Sequence, residues 1–300
     1  MANSIDLVTA FREKADLIYK EASKTAFLDS MTEQNDHQAA NEIKIFKISM
    51  VGMGNYSRAN GYPAGDVTAT WETIKLEYER GRKFSVDNMD NEETFGMTYG
   101  KLVSEYIRTQ VVPELDAARF ARWASTSGIN TVAEATLDEA SEVLAAVDAG
   151  AQALDDDEVP MEGRVLFISS KIHRLLNKSV TRSLTNESEF NRLLKALDDM
   201  NIVVVPQSRF YTSITVNAGA TADAGGFAKT PSTGRDINFI LMHPTAVWQA
   251  VKLNNLKVFD PAVNQTADSW LVQHRLYHDG GVYENKVAGI YLHKAPEEES

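Results

Sequence analysis

EIKIFKISMVGMGNYSRANGYPAGDVTATWETIKLEYE, residues 42–79, is the stretch on which the fold turns. Ile43, Ile45, Phe46 and Ile48 are β-branched or aromatic side chains that favour a strand over 42–48. From 67 to 79 the chain sets Thr70, Glu72, Ile74, Leu76 and Tyr78 against Ala69, Trp71, Thr73, Lys75 and Glu77, the two-residue period of a second strand. Between the runs Gly52, Gly54, Asn55, Asn60, Gly61, Pro63 and Gly65 supply turn chemistry. The pattern predicts a long β-hairpin with a wide tip. Neither strand has a clean apolar face, so the hairpin has no way to bury itself in its own domain and wants a neighbour.

Upstream, Leu7, Val8, Phe11, Ala15, Leu17 and Ile18 make a single apolar stripe at helical spacing, followed by a polar run over 30–41. That composition predicts an arm lying on something else. Downstream, acids at 92–93 open a helix whose Phe95, Tyr99, Leu102, Val103, Tyr106, Ile107 and Val111 keep the three/four pattern. Pro113 interrupts it, and Leu115, Ala118 and Arg122 resume it, which predicts a kinked or two-part spine helix reaching Ser125.

The second half alternates helices with apolar strands. Thr136 and Glu139 read as a capping box ahead of a helix carrying Leu137, Ala140, Leu144, Val147, Ala151 and Leu154. Strands are expected over 164–168, 202–206 and 237–242, and helices over 171–177, 189–197 and 246–252. Residues 219–234 read as a mobile low-complexity loop. The end reads as strands over 256–259, 270–277 and 286–293, with a turn at His278-Asp279-Gly280-Gly281.

Composition removes whole classes of function. The 300 residues include no cysteine, which excludes disulfides, thiolate nucleophiles and cysteine-ligated metals. A net charge of −12 argues against a surface built to neutralise phosphates. The first residues lack a basic and an apolar signal region, and no run spans a bilayer, so a cytosolic, soluble product without a membrane is expected. The triplets at Asn55, Asn177, Asn186 and Asn264 would then meet no glycosylation enzyme.

No chemical motif survives its own spacing. Gly96 to Gly100 resembles a nucleophile elbow but falls within a helix, and Gly100-Lys101 lacks the spacing of a phosphate loop. Gly52-Met53-Gly54 follows a strand, yet Ser57 stands where a dinucleotide fingerprint needs glycine. His274 and His278 have no third ligand and read as surface histidines on a strand. The acids at 155–158 read as a solvated helix end, and Glu114 and Asp116 diverge on a helix. No catalytic, cofactor-binding or metal residues are assigned. The chain is built to pack.

The order of arm, hairpin, spine helix, α/β region and returning strands resembles the major capsid protein of tailed bacteriophages. Local likenesses lie in LEYERGRKFSVD (76–87) running into DNEET (90–94), VVPELDAAR (111–119), IVVVP (202–206) with Arg209-Phe210, and VYENKVAGIY (282–291). The resemblance covers about 40–293. It implies an α+β fold in which 1–41 is an N-terminal arm and 42–91 an extended hairpin loop. A peripheral domain would comprise 92–128 and 254–284, and an axial domain 129–253 and 285–300. It implies hexamers and pentamers tiling an icosahedral phage head around double-stranded DNA that the subunits touch weakly. Separate scaffolding, portal and decoration proteins are the further partners, the virion capsid and the host bacterial cytoplasm the locations, and no cofactor is needed. Inter-subunit contacts are expected from Phe11, Tyr56, Arg58, Tyr62, Trp71, Arg80 and Arg82.

Two departures matter. Some forty residues precede the first hairpin strand, too few for the fused scaffolding domain of some members. Between Ile48 and Ile74 there is no lysine, so the lysine-to-asparagine crosslinks of other members are not expected, and Arg58 is the only base there. An encapsulin-like nanocompartment shell and, from another class, a cytosolic hydrolase are the alternatives.

Overall fold

The computed structural model describes residues 23–30, 37–39, 42–59, 61–89, 103–181, 196–197, 200–219 and 225–297. The hairpin forms as its sequence predicts. β1 (His37–Ala39), β2 (Glu42–Met50) and β3 (Val67–Lys75) make an antiparallel ribbon in that order. β2 and β3 stay in one register from Glu42 opposite Lys75 to Met50 opposite Val67. At roughly 3.4 Å per residue the ribbon is about 30 Å long. The second strand is shorter than its alternation predicts, because Leu76 is buried and the Glu77 N–H donates to Asp279 at 3.0 Å. The chain then enters another sheet as β4 (Tyr78–Asp87).

The spine is in two parts, and the break is a change of helix type. Residues 103–106 are α-helical, Ile107–Val111 is a π-turn in which the Val112 N–H reaches the Ile107 carbonyl, and α1 (Val112–Ser125) follows. Pro113, with no N–H and a ring that crowds the preceding turn, falls at the start of α1, where an amide is dispensable. Residues 90–102, including the 96–100 glycines, lie outside the described residues.

A mixed six-stranded sheet follows. Its strands are β5 (Asn130–Thr131), β6 (Val165–Ser169), β7 (Ala196–Leu197), β8 (Met200–Val205), β11 (Ile237–Met242) and β14 (Ile290–Lys294), ordered β5-β14-β11-β6-β8-β7. Alternation on β6 decides its two faces. Leu166 and Ile168 pack under α2 (Ala140–Asp156) and α3 (Ser170–Thr181), while Val165 and Phe167 meet Phe120 and Trp123 of α1. α2 is capped by Glu139 with Glu142, not by Thr136 with Glu139. The backbone N–H groups of Val132 and Ala135 donate to the carbonyls of Leu292 and Lys294, which holds this segment extended and delays the helix.

The other strands are β9 (Ile214–Val216) paired with β10 (Phe227–Lys229), and β12 (Val247–Phe259), which with β13 (Ser269–Val282) and β4 forms an antiparallel sheet ordered β12-β13-β4. Five expectations are corrected here. The helix expected over 246–252 is, from Val247 on, strand β12, because Val247 and Trp248 are both buried but in different cores, as a two-faced strand requires, and Ala246 ends a 3-10 turn. The turn at 278–281 is continuous strand: a Cβ on Gly281 would lie 2.7 Å from the Trp248 ring, so glycine is there to admit the indole. A 3-10 segment, Glu284–Gly289, precedes β14 and replaces the first half of the strand expected over 286–293. Within the loop expected over 219–234, residues 227–229 form β10. Of the helix expected over 189–197, only 196–197 is described, as β7.

Candidate assembly surface

Nine of the fourteen large apolar side chains exposed among the described residues lie between Phe46 and Trp71. A monomer with that much uncovered apolar surface on one projection presents an interaction site. Phe46 and Trp71 are directly opposed across β2 and β3 with ring centroids 4.9 Å apart, yet remain 49% and 55% exposed. At the tip Tyr56 and Tyr62 meet edge to face at 5.0 Å, and a backbone bridge joins Ser57 to Gly61, whose φ of +81° suits glycine. The hairpin is tethered at its root, where Ile74 and Leu76 pack with Trp248 and Ala250, and by an ion pair from Lys47 to Glu284.

Of the expected contact residues, Tyr56, Arg58, Tyr62 and Trp71 share the exposed hairpin. Phe11 lies outside the described residues. Arg80 and Arg82 stand on β4 and turn toward the body. Arg80 pairs with Glu114 of α1 at 2.5 Å, and Arg82 donates to the Gly219 carbonyl at 3.4 Å. They edge a cleft of about 750 Å³ between β4, the π-turn and the β9–β10 loop, with Phe84, Tyr106 and Leu276 among its apolar walls.

His274 and His278 are not surface residues. They are 6% and 2% exposed under α1 on β13. His274 Nε2 lies 3.1 Å from Asn254 Oδ1, and His278 stacks on Tyr78 at 5.6 Å. Burial, with Arg119 and Arg80 close by, lowers the His278 pKa to about 3, so its imidazole is neutral. Among the described residues no three His, Asp or Glu side chains converge as a metal site. At 155–158, Asp155 pairs with buried Arg164 at 2.7 Å and Asp157 accepts from Asn130 at 2.6 Å.

Residues 23–30 are held by Asp116 and Arg119, side chains that the sequence did not mark as functional. Asp116, fully buried, accepts hydrogen bonds from Ser23 Oγ at 2.7 Å, the Lys24 N–H at 3.0 Å, Thr25 Oγ1 at 2.8 Å and Arg209 Nη1 at 2.9 Å. One turn on, Arg119 donates to Thr25 Oγ1 and to Asp29 Oδ1, both at 2.8 Å. An acid and an arginine three apart among the otherwise apolar residues of Leu115 to Phe120 was the available signal. The arm segment 23–30 is therefore locked to the spine, with Leu28 buried in the main core and Phe27 stacked on Phe167 at 6.1 Å.

No protein-family profile matches the sequence, and no curated protein matches it. Solved structures do match in shape. A structure from Mycobacterium phage Che8 is 13% identical, with 85% of each chain covered and a TM-score of 0.61. The capsid structure of the cyanophage P-SCSP1u is 12% identical over 88% of this chain and 86% of that one, also at 0.61. A virus-like particle from Pyrococcus furiosus is 11% identical over 96% of this chain and 99% of that one, at 0.57. The chain thus has the mixed helix-and-sheet fold of these phage capsid structures.

Proposed function

We propose that the chain is a structural shell subunit, a major capsid protein that assembles as hexamers and pentamers into an icosahedral phage head around double-stranded DNA. The observation that carries this reading is the projecting hairpin, whose large apolar side chains, Phe46, Met53, Tyr56, Tyr62 and Trp71 among them, stay exposed on the subunit. In this reading residues 1–41 are the arm and 42–91 the extended loop. Residues 92–128 with 254–284 form the peripheral domain, and 129–253 with 285–300 the axial one. The subunit works by packing rather than by catalysis, with Tyr56, Arg58, Tyr62 and Trp71 at contacts between copies. A net charge of −12 suits a lining that must not hold DNA tightly. Scaffolding, portal and decoration proteins are further partners, met in the host cytoplasm.

Light scattering on the purified chain, with negative-stain microscopy, tests this. Closed shells or capsomer-sized rings are expected, and a monodisperse monomer at high concentration across salt conditions refutes it. An encapsulin-like shell is the second reading, favoured by the near-complete mutual coverage with the Pyrococcus particle. Native particles separate the two readings, since a phage head encloses DNA and a nanocompartment encloses protein cargo.

A further inference from the structure

The two helices that cover one face of the six-stranded sheet carry opposite charge. α2, ASEVLAAVDAGAQALDD, has no basic residue, and α3, SKIHRLLNKSVT, has no acidic one. On α3, Ile172 and Leu176 enter the core, which leaves Lys171, Arg174 and Lys178 on the opposite, exposed face. With Ser170, Leu175 and Asp138 they line a groove of about 470 Å³. Lys171 has Asp138 at 3.6 Å, whereas among the described residues Arg174 and Lys178 have no ion-pair partner.

The complementary surface is at the far end of α2. There Asp155 and Asp157 are engaged by Arg164 and Asn130, while Asp156 and Glu158 are exposed and, among the described residues, have no side-chain partner. Acids at the negative end of a helix are unfavourable within the subunit, so nothing local accounts for them. Asp138 precedes the 17-residue α2 and Asp156 is its last residue, and the helix between them is about 25 Å long at ~1.5 Å per residue, so the Asp138 end of the groove does not meet the acidic end of the same chain.

We propose that the α3 groove receives the α2 end of a second copy, with Arg174 and Lys178 of one chain facing Asp156 and Glu158 of the next. This rests on the shell reading. Two different patches on one subunit make a head-to-tail contact, the kind that closes into rings. It also gives a chain of net charge −12 a local attraction at the point where copies would otherwise repel.

The test is charge reversal and its rescue. Arg174→Glu with Lys178→Glu, or Asp156→Lys with Glu158→Lys, should raise the concentration needed for assembly about tenfold and leave circular dichroism unchanged. The chain carrying all four substitutions should recover wild-type assembly, and wild-type assembly should weaken with salt. Carbodiimide coupling of the assembled wild type should join Lys178 to Asp156 or Glu158, a test independent of how the variants fold. One-sided variants that assemble normally, a fourfold variant that does not recover, or absence of that crosslink overturns the contact alone. A wild-type chain that stays monomeric overturns the shell reading and this contact with it.

Discussion

The hairpin β2–β3 and the sheet β12-β13-β4 are both antiparallel and both two-faced, and they meet opposite fates. β13 lies beneath the spine, where Val272 and Leu276 pack with Ile107, Val111 and Leu115, and even its two histidines are dry. The hairpin pairs Phe46 with Trp71 in good register and leaves both about half exposed. What separates them is the covering element rather than strand quality. The sheet β12-β13-β4 is completed within the chain by α1, and in the proposed shell the hairpin is completed by another copy. Disrupting the spine should therefore cost subunit stability, and disrupting the hairpin should cost association.

The largest effect is expected at Asp116. Its carboxylate ties the arm, the spine and Arg209 together, so Asp116→Ala strands several buried donors and should cost about 3–5 kcal/mol of subunit stability. Urea unfolding of the dissociated subunit measures this. A loss below about 1 kcal/mol would show that the arm base is a surface attachment rather than part of the core. Next comes Ile107, 4% exposed in the π-turn, where Ile107→Ala should cost roughly 2–5 kcal/mol. The same measurement with a loss under about 1 kcal/mol would mean that the π-turn relaxes into the cavity.

The covered sheet also predicts a pH dependence. An unfolded His278 takes a proton near its ordinary 6.5, while the buried one resists until about 3. Between those values the unfolded chain binds more protons, so stability falls as pH falls. At pH 4.5 the loss from this one group is about 3 kcal/mol. Burial lowers His243 and His293 as well, and they act in the same direction. His278→Gln should therefore flatten the slope of stability against pH between 6.5 and 4.5 without abolishing it. An unchanged slope would place the titrating group elsewhere.

The elements legible in the sequence are those whose signal is local. Gly61 and its neighbours mark the hairpin tip, Ile237–Met242 is an apolar run bounded as a strand should be, and Pro113 marks the break in the spine. The misreadings share one cause, a partner distant in sequence. Gly280-Gly281 looks like a turn until Trp248 is laid on it, and 246–252 looks helical until β13 is paired along its length. The histidines read as surface residues because nothing local announces the helix above them. On the candidate surface the exposed hairpin residues were legible from turn chemistry and a missing apolar face. The inward orientation of Arg80 was not, since it depends on Glu114, thirty-four positions away.

The smallest effect on the subunit, and the sharpest test of the contrast, belongs to Trp71. In a covered sheet, truncating a tryptophan costs about 3–5 kcal/mol, because the cavity and the lost transfer energy both fall on the subunit. Here the ring meets Phe46 across the ribbon and is already 55% exposed, so about half of its surface has no burial to lose within the chain. Trp71→Ala should lower the unfolding free energy of the isolated subunit by no more than about 0.5–1 kcal/mol. Interface aromatics carry a disproportionate share of association energy, so the same substitution should raise the concentration needed for assembly by about tenfold or more. Unfolding and light scattering on one preparation give both numbers. If Trp71→Ala destabilises the subunit as severely as Ile107→Ala, the hairpin is covered by its own chain and the contrast between the two sheets fails. If neither stability nor assembly moves, the hairpin meets its neighbour through another side chain of the ribbon, with Tyr56 and Tyr62 at the tip the next to be truncated.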